Sequence, residues 1–175
     1  MTGVQTCALP IFAVKLCSEA LECFGGAGYI EDTGLPQLLR DAQVYAIWEG
    51  TTNVLSLDSL RALAGDTFTA LRAAINEWSA GSNAAAVSSI QEALDAAAAY
   101  LDSYGANRES LEAGARGLAF TLARCASAAL LIRQAHWSNL HGGDPYPAAA
   151  LQRFVGHGLN RLVSPDAGNT ALLLG

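Results

Sequence analysis

A carboxylate beside a large aromatic ring is the feature of this chain best suited to chemistry. Trp48-Glu49-Gly50-Thr51 puts Glu49 at a glycine break, just before an apolar-periodic stretch that begins near Thr51 or Thr52. A carboxylate partly shielded from water by such a ring has its pKa raised towards the range useful for a general base. A surface glutamate fits the same position, because the N-terminus of a following helix favours negative charge. Upstream, Gly25, Gly26 and Gly28 end one helical pattern, and Gly34-Leu35-Pro36 opens the next. The chain therefore reverses between two packed segments before it reaches Glu49.

The elements that must position these residues are all helical. Alanine and leucine dominate, sustained alternation of period two is absent, and the fold class expected is all-α. Apolar spacing predicts helices over residues 12–24, 36–45 and 51–64, with Pro36 suited to a first turn and Gly65 closing the third. Asp66 is placed to cap the helix that follows. From there the chain is alanine-rich, with helices expected over 66–79, 83–103, 107–140 (bent at Gly114 or Gly117) and 148–162. The expected organisation is a helical unit over 12–65, a second over 66–165 and a tail from 166 to 175.

The stretch Gly25 to Val54, GGAGYIEDTGLPQLLRDAQVYAIWEGTTNV, resembles the C-terminal four-helix domain of the acyl-CoA dehydrogenases, flavoproteins that desaturate acyl-CoA thioesters. A Gly-Gly segment, an Arg-Asp-Ala on a helix and an aromatic-Glu-Gly-Thr follow one another in the family's order. Leu-Pro, Ile-Trp-Glu-Gly, Asn-Val and Leu-Asp bring it nearest to the branch that holds the AidB alkylation-response proteins and related dehydrogenases. The resemblance is close over residues 12–63. It implies that this part is a truncated four-helix-bundle domain followed by an additional helical domain. It further implies that Glu49 is the base that removes the α-proton, with hydride passing to FAD. Glu22, Cys23, Phe24, Gly25 and Gly26 match a segment whose backbone lies against FAD, commonly that of a neighbouring subunit, and Thr51 and Asn53 match positions that contact the same cofactor. Asn53 stands where many members have glutamine. Trp48 and Gly50 fall at the substrate pocket, with Trp48 in place of a frequent tyrosine. Arg40 and Asp41 are expected to pair across the bundle.

The same resemblance implies partners: an acyl-CoA, an electron acceptor and further copies of the chain in a dimer or tetramer. It also implies an intracellular, cytoplasmic location, with a mitochondrial or peroxisomal one left open for a eukaryote. The alternative is an AidB-like flavoprotein that binds DNA or another partner without catalysis. In a third reading, the added helices only build an oligomer interface. The net charge of −6 opposes general affinity for nucleic acid or anionic membranes, which need a cationic face. From Asp66 onward, Arg72, Arg108, Arg116, Arg124, Arg133, Arg153 and Arg161 are dispersed among nine acidic residues. A local basic patch remains compatible with that.

Residues 1–11, MTGVQTCALPI, reverse-translate to a sequencing-library adapter and are expected to be a cloning or assembly scar with no place in the core. The natural partners upstream would then be absent, leaving a fragment inactive alone, with residues 25–29 and Trp48 poorly covered. The apolar pattern of residues 111–137 is interrupted by Arg116, Arg124 and Arg133, and reads as a buried bundle helix rather than a membrane span. Cys17, Cys23 and Cys125 lack a Cys-x-x-Cys spacing and read as reduced, small apolar residues. His136, His141 and His157 lack metal-ligand spacing; no metal is expected.

Overall fold

The computed structural model describes residues 3–48, 50–80 and 83–164. Among them the fold is all-α, with eight α-helices: α1 Gly3–Glu22, α2 Leu35–Trp48, α3 Thr52–Ala62, α4 Thr67–Trp78, α5 Ala84–Tyr104, α6 Arg108–Ala113, α7 Ala115–His141 and α8 Tyr146–Gly156. Two 3₁₀ turns, Gly25–Gly28 and Glu31–Thr33, fill the reversal between α1 and α2. The first helix is longer than residues 12–24, continuing back to Gly3 through the stretch read as adapter. Trp48, rather than Tyr45, ends α2.

The helix α7 is the mast of the molecule. It packs against α1, α3, α4, α5 and α8, and most of its apolar residues are used in these contacts: Leu118, Leu122, Cys125, Ala128, Ala129 and Ile132 are essentially inaccessible. By length and composition it could cross a membrane. Burial of its apolar positions in contacts with the surrounding helices accounts for that composition. Ile75 from α4, Ile90, Leu94 and Ala97 from α5 and Leu151 from α8 complete one core with it. By contrast, Gly28 and Ala42 are the buried residues of the described side chains between Phe12 and Trp48.

Helix boundaries follow local chemistry where the caps are real. The Asn83 side chain accepts from the Ala86 backbone N–H at 3.0 Å, and that of Asn107 from Ser110 at 3.2 Å, which satisfies donors that α5 and α6 leave open. Asp66 makes no such bond: its backbone (φ −84°, ψ 3°) lacks the extended shape that aims a capping side chain over the first turn. The expected helix over 107–140 is two helices, broken at Gly114. Tyr100 explains the break, since its hydroxyl donates to the Ser110 carbonyl at 2.7 Å and lies where a side chain at position 114 would be. Gly117 instead sits inside α7, because the Arg161 carbonyl backs onto it; an added Cβ would lie 2.6 Å from that oxygen.

The last helix stops at Gly156, six residues before the expected end. Gly158 adopts φ +74°, and its carbonyl accepts from Arg124 Nε at 2.8 Å. The chain then runs along α7, where the Thr121 hydroxyl donates to the Gly117 carbonyl (2.8 Å) and accepts from the Arg161 N–H (2.9 Å). These bonds replace those that further helical turns would have made.

Burial also decides thiol chemistry. Desolvation pushes the Cys125 thiol up to about 12, far from the thiolate form that reacts. Cys23 is exposed. Iodoacetamide at pH 8 should therefore modify Cys23 and spare Cys125 until denaturant is added, as peptide mass mapping would record; labelling of Cys125 in the folded chain would contradict its burial.

Candidate functional site

Two groups of candidate residues lie at opposite ends of α2. The first is the glycine turn. Glu22, Cys23, Phe24, Gly25 and Gly26 are all exposed, whereas Gly28 is buried against the Leu21 carbonyl. Gly25 has φ +54°, and a Cβ built on Gly25 or Gly26 meets nothing within 4 Å. Bare backbone therefore faces open space. Tyr29 beside it is 86% exposed. The turn is braced from the α2 side: Arg40 clasps Glu31 through two bonds of 2.8 Å, a forked pair that holds the Glu31 carboxyl below its ordinary range. Thr33 donates to the Ala27 carbonyl at 2.7 Å. Arg40 thus pairs with the adjoining turn rather than across the bundle.

The second group is the junction between α2 and α3. Trp48 ends α2 with 83% of its surface exposed. Glu49 lies outside the described residues. Gly50 takes φ +119°, a conformation suited to glycine, and its Cα faces the Val54 side chain so closely that a Cβ would lie 3.2 Å from it. Thr51 precedes α3 in an extended conformation, and its carbonyl accepts from the Leu55 N–H at 2.9 Å. Asn53 is exposed, and its amide oxygen accepts from Arg116 Nη1 at 3.4 Å. This contact ties the junction to α7, a link that the sequence reading did not foresee.

The 14 residues of α2 rise about 21 Å at ~1.5 Å each. Within one chain, the glycine turn and the Glu49 junction are therefore held a helix length apart. They form two separate surfaces.

No group of three or more potential metal-ligating side chains occurs among the described residues. His141 instead stacks on Trp137, with ring centroids 4.6 Å apart, and its Nδ1 lies 2.8 Å from the Trp137 carbonyl.

Two known families match adjacent parts of the chain. The family of acyl-CoA dehydrogenase C-terminal domains matches residues 8–64, beginning four residues inside the adapter-like stretch. The family described as acyl-CoA dehydrogenase 11 C-terminal domain-like matches residues 67–169. Acyl-CoA dehydrogenase family member 11 of Caenorhabditis elegans is 43% identical over 140 residues, covering 73% of this chain and 23% of that protein. The putative acyl-CoA dehydrogenase AidB of Escherichia coli (strain K12) is 50% identical over 46 residues, 26% of this chain and 8% of the relative. The crystal structure of C. elegans ACDH-11 in complex with C11-CoA superposes with a TM-score of 0.79 and 35% identity, covering 90% of this chain and 28% of that one. This chain thus spans about a quarter of the member 11 relative and of the solved structure. The AidB branch is not singled out, since its similarity stops short of most of the second unit. The chain belongs to the acyl-CoA dehydrogenase family, and its second half to the group that resembles the C-terminal domain of member 11.

Proposed function

We propose that this chain is the C-terminal part of an FAD-dependent acyl-CoA dehydrogenase in which Glu49 removes the α-proton of an acyl-CoA thioester. Family membership carries the reading, because it gives a chemical role to a carboxylate set between Trp48 and a glycine break. An α-proton of a thioester is weakly acidic, so a base must stand ready while the developing enolate oxygen is held by hydrogen-bond donors. Glu49 supplies the carboxylate, and its own backbone N–H is a donor for that oxygen. Trp48, once covered in the complete protein, would shield the base from water and raise its pKa towards that of the proton it takes.

FAD supplies the acceptor for the β-hydride when bound. The residues of this chain fit it: the open backbone at Gly25 and Gly26 offers a side-chain-free surface for close approach. Glu22, Cys23 and Phe24 would flank it there, and Thr51 and Asn53 would meet the cofactor at the other surface. Separation of these surfaces by the length of α2 agrees with a homo-oligomer in which each cofactor touches two chains. The exposure of Tyr29 and Trp48 supports the same arrangement, since apolar surface of this kind marks a covered interface.

The test is to isolate the complete protein, measure the cofactor that heat releases from one portion, and in the remaining holoprotein follow flavin absorbance under anaerobic addition of acyl-CoA thioesters of graded chain length. Stoichiometric FAD and bleaching by at least one thioester are expected. A protein that holds FAD but is bleached by none, while binding duplex DNA tightly at physiological salt, would favour the non-enzymatic AidB-like role instead.

A further inference from the structure

We infer that the junction of α1, α7 and the segment after α8 binds a phosphate-bearing small molecule, with its phosphates on Lys15, Arg116, Arg124 and Arg161 and its organic part against Phe12 and Phe120. The proposal does not rest on the dehydrogenase reading, although Arg116 also donates to Asn53, a residue placed at the cofactor. A cavity of about 580 Å³ opens there, within the size range of small-molecule sites, and its described lining contains four cations and no carboxylate.

None of the four cations makes an ion pair with a described residue. Arg124 is held by neutral groups: Nε donates to the Gly158 carbonyl, Nη2 to the Phe154 carbonyl at 3.2 Å, and its guanidinium lies 4.4 Å over the Phe154 ring. Those bonds occupy two of its five N–H donors. Arg161 is fixed by its backbone bond to Thr121 and by Nη2 to the His157 carbonyl at 2.8 Å, and Arg116 lies 5.5 Å from the Phe120 ring centroid. Positive charge is thus gathered and oriented. Burial and the neighbouring Arg161 both press the Arg124 guanidinium towards losing its charge, a repulsion that a bound anion would relieve. Planar guanidinium forks beside aromatic walls are the chemistry that takes phosphate oxygens and a flat organic group together.

Calorimetric titration of this chain with ADP and with inorganic pyrophosphate, at 50 and 150 mM salt, tests the assignment. ADP should bind one to one and at least threefold more tightly than pyrophosphate. The Lys15→Glu/Arg116→Glu double variant should lose tenfold or more of that affinity. Arg133→Glu makes the same charge change as Lys15→Glu alone, lies outside the cavity lining and about 14 Å beyond Arg124 along α7 at ~1.5 Å per residue, and should stay within twofold. Far-UV circular dichroism checks folding, and Lys15→Glu alone replaces the double variant if that one misfolds. Absence of ADP binding at millimolar concentration, equal weakening by Arg133→Glu, or pyrophosphate binding as tightly as ADP would each overturn the proposal. So would duplex DNA binding more tightly than ADP through the same residues, which would make the site a nucleic-acid surface.

Discussion

Glu49→Gln in the complete protein should leave FAD bound and slow flavin reduction by acyl-CoA by about 10²- to 10⁴-fold, the usual consequence of removing a general base. Glutamine keeps the length and hydrogen-bonding shape of the side chain but cannot accept the α-proton. The neighbours of Glu49 make the comparison clean: Trp48, the last residue of α2, is exposed, and Gly50, at φ +119°, has no side chain of its own. The substitution therefore alters protonation chemistry and leaves the residues on either side unchanged. Stopped-flow absorbance reads the rate, and the flavin-to-protein ratio reads the integrity of the fold. Equal rates in both proteins would place the base elsewhere. A parallel loss of FAD would instead give Glu49 a structural task.

The helices were legible because their signals are local. Periodic leucines and Gly65 as a stop each act within one turn of themselves, whereas the cap read at Asp66 is not made. What escaped the sequence depends on contacts between distant segments. Gly114 and Gly117 look alike in the chain, yet Tyr100 makes one a break, and the Arg161 carbonyl makes the other a point of close approach. The end of α8 at Gly156 depends on Arg124, 34 residues before the Gly158 carbonyl that it holds. The arginines of the second half are spread along the sequence among nine acidic residues, and this reads as a dispersed charge. Folding sorts them, because Arg116 and Arg124 are eight apart and share one face of α7, to which α1 brings Lys15 and the final segment brings Arg161. The eight-residue spacing was the available signal. The candidate catalytic residues were legible for another reason: a linked order of motifs names them without any knowledge of where the helices place them. That order does not reveal that α2 holds the two groups a helix length apart.

Leu122→Ala should destabilise the chain by about 2–5 kcal/mol, which for a protein of this size lowers the melting temperature by roughly 5–20 °C. Leu122 has no accessible surface and stands in the first third of α7, within the core that α4, α5 and α8 share with it. Part of the loss is the transfer energy of the deleted methyl groups; the rest is the cavity they leave. That second part should be large here. Several of the buried core positions of α5 and α7 are alanines (Ala93, Ala97, Ala128 and Ala129) whose side chains are too short to lean into a void. Helix backbones already brought close by small residues cannot collapse further without moving the whole of α7 against several neighbours at once. Leu130→Ala is the matched control, on the same helix but 47% exposed, and should stay within about 0.5 kcal/mol of the parent. Urea unfolding followed by circular dichroism measures both. Similar midpoints for the two variants would mean that α7 does not centre the core.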